Sequence, residues 1–373
     1  MERHYRFLHF LKNRELNEFY LSMAIRSFSY SLISVFIPVY LLKLGYSLQE
    51  VLFFYFIFSL THLVFTIPAA KVSSKYGFKH SILFSIPFLL LFYLMLYTLD
   101  IYGWPLFIPA IIFGLKNAFF WMGYHTHLSK FSDKKHRGEE ISIVRISTSL
   151  FHVAGPFIGG LIVSFFGFKI LFLVVIFFLF SSAIPLFFSQ DSYDSTKFSL
   201  KKLFSIKRSR DIISFIGYGM EIAVGVVIWP VFIFTAILNN YTTLGLVTTL
   251  SWFFSMIFAF VIGKSSDVKR SFVLRIGAVC NAVVWIVRAF VRTSLQVFII
   301  DSFYGITKIS KDISFDAICY DKANKRSILE YIIFREIFIQ IGKSLMFLLM
   351  MIFTSYVFGF LSASLGSLLH LFF

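Results

Sequence analysis

Residues 168–188 read FKILFLVVIFFLFSSAIPLFF, an apolar stretch with a single charge, Lys169, near its first end. An α-helix rises about 1.5 Å per residue, so this stretch is about 30 Å long as a helix, the thickness of the hydrocarbon core of a bilayer. Its apolar residues do not alternate with polar ones, which argues against a strand of a membrane barrel. The stretch therefore predicts a transmembrane helix.

The rest of the chain has the same character. Of its 373 residues, 58% are hydrophobic and 14% are charged, and the mean hydropathy is +0.81. Soluble domains contain about 25% charged residues. These values exclude a soluble globular domain, a disordered chain and a secreted disulfide scaffold. Because Cys280 and Cys319 lie in apolar stretches without metal or redox spacing, neither a disulfide nor a metal is expected.

Long apolar stretches predict an all-α polytopic membrane protein with twelve transmembrane helices. Twelve helices of about 20 residues use about 240 residues, so the connecting segments average about ten residues and leave no room for a soluble domain. The predicted spans are 17–42, 48–70, 80–99, 104–127, 141–165, 168–188, 211–237, 242–263, 271–292, 295–319, 328–352 and 355–372.

The connecting segments alternate between basic and sparsely charged along the chain. The N-terminus and the segments after even-numbered spans are basic, with residues such as Lys75 and Lys134, whereas the segments after odd-numbered spans carry few charges, such as Lys43. The positive-inside rule places the basic segments and both termini in the cytoplasm, and we expect the protein in the cell membrane. The net charge of +16 is interpreted as loops facing anionic lipid, not as a nucleic-acid surface.

The two halves of the chain repeat one another. The matches share a nearly constant offset: Ile37-Pro38-Val39-Tyr40 with Trp229-Pro230-Val231-Phe232, Ala70-Lys71 with Gly263-Lys264, Arg137 with Arg326 and Arg145 with Arg335. This predicts a tandem repeat of six helices, and an even number gives both halves one orientation in the membrane. We therefore expect an N-terminal six-helix bundle over 1–190, a cytoplasmic linker over 191–210 and a C-terminal six-helix bundle over 211–373.

This architecture resembles the major facilitator superfamily, whose loop between helices 2 and 3 follows the pattern Gly-x-x-x-Asp-(Arg/Lys)-x-Gly-(Arg/Lys)-(Arg/Lys). The first copy in this chain matches the pattern at Lys75, Gly77 and Lys79, and has serine at position 74 where the family has aspartate. The second copy, after span 8, keeps the aspartate and a basic residue as Asp267 and Arg270. In the family the aspartate helps to lock the cytoplasmic gate, so the resemblance implies an altered lock in the first half.

Span 5 contains a second element of this kind. It reads Gly155-Pro156-Phe157-Ile158-Gly159-Gly160, which resembles the Gly-Pro-x-x-Gly-Gly element often found in helix 5 of the family, especially in exporters. Small residues let helices approach closely, and proline bends a helix. Two interpretations stay open: tight packing with no further role, and a helix past which a neighbour slides during transport.

Ionisable residues inside the spans indicate a pathway through the membrane. A charge at bilayer depth costs about 2.5–3.5 kcal/mol or more, so it must face protein or water. The candidates lie on spans 1, 4, 7 and 10, which the resemblance places around a central cavity: Arg26, Lys116, Asn117, Glu221, Asp301, Lys308 and Asp312. Arg288 of span 9 is the exception, and we expect its side chain to reach the nearby interface.

Span 10 is the most polar of the spans. Asp301, Gly305, Lys308, Asp312 and Asp316 recur at helical spacing and predict one polar stripe, in which Lys308 and Asp312 are close enough to pair. A substrate or ion pathway and a buried seam of ion pairs both explain such a stripe. For Asp316, near the cytoplasmic end, the seam is the better interpretation.

Glu221 is the candidate proton-coupling carboxylate, because a buried carboxylate can exchange its proton when a cation approaches. The competing interpretation is a static Arg26–Glu221 ion pair between the halves. Lys116 is either an anion-facing group or the partner of a carboxylate on span 10 or 11. Glu336 of span 11 is interpreted as structural, and His62 as an ordinary interior histidine.

No sequence pattern of catalysis is present: the chain lacks a Gly-x-x-x-x-Gly-Lys-(Ser/Thr) phosphate loop, a His-Glu-x-x-His helix and a Gly-x-Ser-x-Gly elbow. We expect neither an enzyme nor a cofactor. The sequence predicts a secondary active transporter of a small solute, monomeric, working by alternating access, coupled to protons and favouring export. Two alternatives stay open: a lipid flippase or scramblase of the same fold, and a transport-inactive membrane scaffold or receptor.

Overall fold

The computed structural model describes residues 14–132, 134–188, 199, 203, 208–325 and 327–373, which are helical wherever they form regular structure. Three features of the sequence fall outside these residues: the basic residues before position 14, most of the 191–210 segment and Arg326. The linker and the match of Arg137 with Arg326 therefore stay predictions.

The first half contains six membrane-length segments. Helix α1 comprises Arg14–Ile33, a 3-10 turn and Ile37–Lys43, and is followed by α2 (Leu48–Tyr76), α3 (Phe78–Tyr97) and α4 (Phe107–Phe131). The helix Arg137–Phe188 changes direction at Gly167, whose φ of 79° lies in a region that favours glycine. We count the part before Gly167 as α5 and the part after it as α6.

The second half repeats this arrangement. Helix α7 runs over Ser209–Leu238 and contains two π-helical turns. The helix Tyr241–Arg288 is interrupted at Lys269 and is counted as α8 and α9. It is followed by α10 (Ser294–Asn324), α11 (Ile328–Ile352) and α12 (Tyr356–Leu368, extended by a 3-10 turn).

The predicted fold class, twelve transmembrane helices in two six-helix bundles, is confirmed. By length and apolar composition, seven helices of the described chain are able to cross a membrane, and two of these contain the double spans α5–α6 and α8–α9. Helices α10 and α11 are long enough but carry several charged residues, and α12 is a shorter apolar helix. The described helices are thus consistent with all twelve predicted spans.

The two bundles pair their helices in the same way. In the first bundle, α1 packs on α5–α6, and α4 packs on both α2 and α3. In the second bundle, α7 packs on both α11 and α12, and α10 packs on α8–α9. The bundles meet along two seams. Helix α2 packs on α11, where the Ser59 and Ser344 hydroxyls lie 2.9 Å apart, and α5 packs on α8, where the Phe157 amide donates to Thr249 Oγ1 at 3.2 Å.

The helix-5 glycines lie where α5 approaches its neighbours most closely. A Cβ atom at Gly159 would be 1.9 Å from the Leu32 carbonyl oxygen of α1, and one at Gly160 would be 2.5 Å from the Tyr241 carbonyl oxygen of α8. Gly155 approaches Ser31 of α1 equally closely, and Pro156 approaches Gly245 of α8. The motif therefore packs α5 against both bundles.

We expect Gly159→Ala to destabilise the protein by about 1–3 kcal/mol, because the new methyl group meets backbone that cannot move aside. The measurement is the thermal unfolding midpoint of the detergent-purified protein. Gly359→Ala in α12 is the matched control, since its Cβ would meet only side-chain atoms, the nearest being Met350 Sδ at 3.2 Å. Equal midpoints for the two variants would contradict the packing role.

Several helices extend beyond the predicted spans at one end of the molecule. Helix α10 continues to Asn324, and α5 begins at Arg137, about one turn before the predicted start. We call this the basic end, because the loops that meet there carry most of the lysines and arginines. At the opposite, sparsely charged end, Lys169 pairs with Asp100 at 3.0 Å.

Candidate functional site

A chain of buried charged residues joins the two bundles between their middle and the basic end. Asp316 of α10 lies between two arginines: Arg145 of α5 at 2.6 Å and Arg335 of α11 at 3.0 Å. Arg145 also approaches Asp312 Oδ2 at 3.7 Å. The side chain of Arg145 is 24% exposed, whereas the two carboxylates are at most 5% exposed. One arginine of the N-terminal bundle therefore holds two carboxylates of the C-terminal bundle.

The same chain continues to the seam between α2 and α11. Arg335 Nη1 lies 2.6 Å from Glu336 Oε1. The two oxygens of Glu336 approach two histidines of the other bundle, with His62 Nε2 at 3.7 Å from Oε2 and His125 Nε2 at 3.7 Å from Oε1. The other nitrogen of His125, Nδ1, is 2.7 Å from the Tyr320 hydroxyl. A proton added to either imidazole would turn its contact with Glu336 into an ion pair between the bundles.

We call these residues the cross-bundle network. They lie between α2, α4 and α5 on one side and α10 and α11 on the other, and all but Arg145 are buried: His62, His125, Arg145, Asp312, Asp316, Arg335 and Glu336. Breaking a buried ion pair by removing one partner costs about 3–5 kcal/mol, because the other charge stays buried. The network therefore holds the two bundles in one relative position.

Glu221, the predicted proton-coupling residue, lies inside the C-terminal bundle. Its carboxylate is 2% exposed, pairs with Lys311 of α10 and accepts a hydrogen bond of 2.7 Å from the Asn281 amide of α9. The alternative Arg26–Glu221 ion pair does not form, because the Glu221 carboxylate binds Lys311 and Asn281, and Arg26 donates to Ser85 instead. Lys311 also lies 4.0 Å from Asp312, which connects Glu221 to the cross-bundle network.

Arg288 does not reach the membrane interface, and this prediction was wrong. The side chain is fully buried, its guanidinium lies 2.5 Å from Asp301, and its Cζ atom lies 3.9 Å from the centre of the Tyr304 ring. Asp301 also accepts a hydrogen bond of 3.0 Å from the Trp229 indole. Because a carboxylate and aromatic rings surround it, burial is more favourable than snorkelling here. Asp301 thus belongs to an ion pair within the C-terminal bundle.

The five residues of the predicted span-10 stripe do not share one environment. Gly305 packs against the Ser251 backbone of α8, and Lys308 Nζ lies 5.2 Å from the centre of the Trp252 ring. The predicted Lys308–Asp312 pair is replaced by the contacts of Asp312 with Arg145 and Lys311. Helices cross at an angle, so successive turns of one face meet different neighbours. The seam interpretation of Asp316 agrees with its two arginine partners.

The first bundle holds the remaining candidates. Arg26 is 4% exposed, donates from Nη2 to Ser85 Oγ at 2.8 Å, and lies 4.2 Å from the centre of the Phe120 ring. Lys116 is 5% exposed and lies above the Phe120 ring at 5.2 Å, not beside a carboxylate of α10 or α11. Asn117 donates to the Phe113 carbonyl one turn earlier and accepts from an indole. Two buried cations therefore meet at one aromatic ring.

The second copy of the loop motif closes the basic end. The carboxylate of Asp267 accepts hydrogen bonds from the amides of Gly138 at 2.7 Å and Glu139 at 2.9 Å, which begin α5. Arg270 pairs with Asp321 of α10, and Arg137 binds the same carboxylate at 2.5 Å. A carboxylate at a helix N-terminus is stabilised by the helix dipole. This copy therefore ties the α8–α9 loop to the other bundle.

The first copy lies between α2 and α3. Gly77 has a φ of 90° and separates the two helices, which explains why the motif keeps glycine there. Lys75 ends α2, and Lys79 begins α3. With serine at position 74, this copy lacks the carboxylate that Asp267 supplies in the other bundle.

One group among the described residues brings three possible metal ligands together. Ligand atoms of His136, Glu139 and Asp267 lie within 4.8 Å of one another at the basic end. Both oxygens of Asp267 already accept backbone amides, and Oδ1 also lies 3.2 Å from Arg270. We therefore assign this group to the contact between the bundles.

Sequence reasoning missed the residues that join the bundles. It named Arg145 and Arg335 only as matching positions of the repeat, although both bind Asp316. It interpreted His62 and Glu336 as unrelated interior residues, although they lie opposite one another. The repeat itself was the available signal, because equivalent arginines on α5 and α11 face the same interface when two similar bundles pack together.

Known proteins agree with this fold. A sequence model of the Major Facilitator Superfamily matches residues 19–216, just over half of the chain. Among solved structures, the human organic anion transporter MFSD10 (TETRAN) is similar, with a TM-score of 0.71 and 9% identity, covering 96% of this chain and 98% of that one. The E. coli fucose:proton symporter FucP is similar with a TM-score of 0.69 and 12% identity, covering 95% and 97%. No curated protein sequence matches the chain.

Proposed function

Since this chain belongs to the major facilitator superfamily, we propose that it transports a small organic solute across the cell membrane by alternating access, coupled to protons. The observation that carries the proposal is the cross-bundle network, which concentrates ionisable groups at the interface between two similar bundles. Membrane proteins keep such groups where they bind ions or substrates or where parts move. The names of the two similar structures, an organic anion transporter and a proton symporter, support an organic solute and protons.

Proton coupling is better assigned to Glu336 than to Glu221. Glu336 faces His62 and His125 across the seam between the bundles, so protonation there changes the attraction between the two moving parts. Glu221 pairs with Lys311 inside one bundle, where protonation acts on the seam only indirectly. A transporter couples a proton to movement only if the two conformations differ in their affinity for it.

The orientation and the remaining assignments follow from the sequence. The basic end is proposed to face the cytoplasm, with both termini and the 191–210 linker on that side and a bundle boundary at the linker. The Gly155–Gly160 element supports export, because it resembles the helix-5 element found especially in exporters of the family. A monomer containing both bundles is sufficient for this mechanism.

Asp267→Asn tests alternating access without knowledge of the solute. Removing the charge weakens the contacts with the start of α5 and with Arg270, and we expect the equilibrium to shift about tenfold toward a state open at the basic end. The readout is the labelling rate of one introduced cysteine by a thiol reagent, in a background carrying Cys280→Ala and Cys319→Ala so that the native thiols do not react. Ser129→Cys, fully buried at the α4–α10 contact, reports the basic end. Val231→Cys, 1% exposed where α7 meets α1, reports the other end.

In Asp267→Asn the labelling of Ser129→Cys should become faster while that of Val231→Cys becomes slower. The control is Lys264→Gln, an exposed residue of the same loop that contacts the Phe260 ring, which should change neither rate. A reciprocal change is expected only of a protein that alternates. Unchanged rates at both ends would point to a static scaffold and would overturn the proposal.

A lipid flippase differs from a solute transporter in what crosses the membrane. Proteoliposomes of the purified protein, tested in parallel for counterflow of labelled soluble organic solutes and for movement of fluorescent phospholipid, separate the two functions. We expect solute counterflow without lipid movement. Lipid movement alone would replace the proposed function by the flippase alternative.

A further inference from the structure

The interior of the N-terminal bundle carries positive charge that its own residues do not balance. Every Asp and Glu that the structure describes between residues 14 and 188 lies near a helix end or in a connecting segment, whereas Arg26 and Lys116 lie near the middle of α1 and α4. The third interior cation of this bundle, Arg145, has Asp312 and Asp316 of the other bundle as partners. Among the described residues, Arg26 and Lys116 have no carboxylate within ion-pair distance.

The two cations face one place. The Cζ atom of Arg26 lies 4.2 Å and the Nζ atom of Lys116 lies 5.2 Å from the centre of the same Phe120 ring. Tyr30, one turn after Arg26, presents its ring 4.9 Å from Lys116 Nζ. Two cationic donors and two aromatic rings, from α1 and α4, thus lie close together in the first bundle.

One donor at this position is unused. Arg26 Nη2 donates to Ser85 Oγ, but the buried Nη1 atom has no hydrogen-bond partner among the described residues. A buried donor without a partner costs about 1–3 kcal/mol, and more for a charged group. Cation–π contacts return about 0.5–2 kcal/mol each, which leaves the burial of two like charges only partly compensated.

From this arrangement we infer that Arg26 and Lys116 form a binding site for the charged group of an amphipathic organic anion, whose flat apolar part packs on Phe120 and Tyr30. A guanidinium presents paired donors that fit the oxygens of a carboxylate, sulfonate or phosphate. An anion between the two cations uses the free Nη1 donor and neutralises charge that the bundle leaves unpaired. The inference rests on the proposed function, since it names the class of solute that the transporter takes.

The test is direct binding of labelled naphthalene-2-sulfonate, a flat permanent anion, to the purified full chain in phosphatidylcholine nanodiscs. Naphthalene-2-sulfonamide has the same shape without the permanent charge, and the sugar fucose has neither a charge nor an aromatic ring. We expect binding of the sulfonate, at least about tenfold weaker competition by the sulfonamide, and no competition by fucose. Equal competition by sulfonate and sulfonamide would overturn the anion site.

Variants assign the binding to the two cations. Lys116→Gln and Arg26→Gln should each weaken sulfonate binding by about 10- to 100-fold, the effect of losing one charge-assisted hydrogen bond. Lys116→Arg and Arg26→Lys keep the charge, so they should bind the sulfonate more tightly than the corresponding folded glutamine variants. Lys264→Gln, which removes an exposed cation that also contacts a phenylalanine ring, should leave affinity unchanged. Unchanged affinity in folded Lys116→Gln would overturn the assignment.

An anionic lipid headgroup has the same chemistry as a soluble anion, and a second arm distinguishes them. If nanodiscs containing phosphatidylglycerol abolish sulfonate binding in wild type, and Lys116→Gln no longer retains that lipid, the site belongs to lipid and the soluble-anion assignment fails. Failure of the proposed function is seen separately. If Asp267→Asn shows reciprocal labelling but the protein does not bind sulfonate, the transport proposal stands and the anion class is wrong. If the protein binds sulfonate but shows no reciprocal labelling, the anion site stands and the transport proposal is wrong.

Discussion

Arg145→Leu is expected to destabilise the protein by about 3–5 kcal/mol and to abolish solute counterflow. Arg145 is the only residue of the described N-terminal bundle that forms an ion pair with Asp312 or Asp316. After its removal Asp316 keeps Arg335 at 3.0 Å, but Asp312 is left with Lys311 at 4.0 Å. A buried carboxylate with one distant partner is unfavourable, and among the described residues the α5–α10 contact keeps only the Arg137–Asp321 pair at the basic end.

Thermal unfolding of the purified protein measures the stability loss, and counterflow in proteoliposomes measures the function. The double variant Arg145→Leu with Asp312→Asn removes the unpaired charge along with the arginine. It should recover part of the stability but not the transport, because the link between the bundles stays broken. An unfolding free energy within about 0.5 kcal/mol of wild type in Arg145→Leu, the range of neutral surface substitutions, would contradict the role of the network.

Glu336→Gln is expected to reduce proton-driven solute accumulation to the level of protein-free liposomes while exchange of solute for solute continues. The amide keeps the shape of the side chain but no longer gains or loses a proton. A proton added to His62 or His125 then no longer creates an ion pair with this side chain, so a proton gradient no longer favours one conformation through that contact. The measurement compares accumulation under a pH gradient with counterflow at equal pH.

The control addresses the rival carboxylate. In Glu221→Gln combined with Lys311→Gln, both members of a buried pair within one bundle become neutral, so no unpaired charge is left behind. We expect this double variant to retain pH-driven accumulation. If it loses accumulation while Glu336→Gln retains it, the coupling role returns to Glu221.

The membrane class, the helix count and the repeat follow from local properties of the chain. A run such as 168–188 needs a bilayer whatever its neighbours are, and each connecting segment shows its charge without reference to any other part of the chain. The charged residues inside the spans were also identified from the sequence, since each stands out against its apolar surroundings. Their partners were not, because a side chain in a helix is able to pair with any of several neighbouring helices.

Particular residues show the limit. Lys308 and Asp312 are one turn apart and were expected to pair, yet Asp312 turns to Arg145, 167 positions earlier in the chain. Arg288 was expected at the interface, because its position along α9 is visible in the sequence while the Asp301 carboxylate that receives it is not. The Arg26–Glu221 ion pair was a reasonable match by depth, but depth does not determine which way two helices face.

The sequence by itself determined that this protein spans the membrane twelve times as two related bundles, because apolar length, loop charge and repeat spacing are properties of continuous segments. Only the tertiary structure decided that Asp316 lies between the two repeat-related arginines, that Glu336 faces two histidines, and that Arg26 and Lys116 share one aromatic ring. The reason is physical: the energy of a buried charge depends on distances of a few ångströms to groups far away in the chain, and helix packing sets those distances.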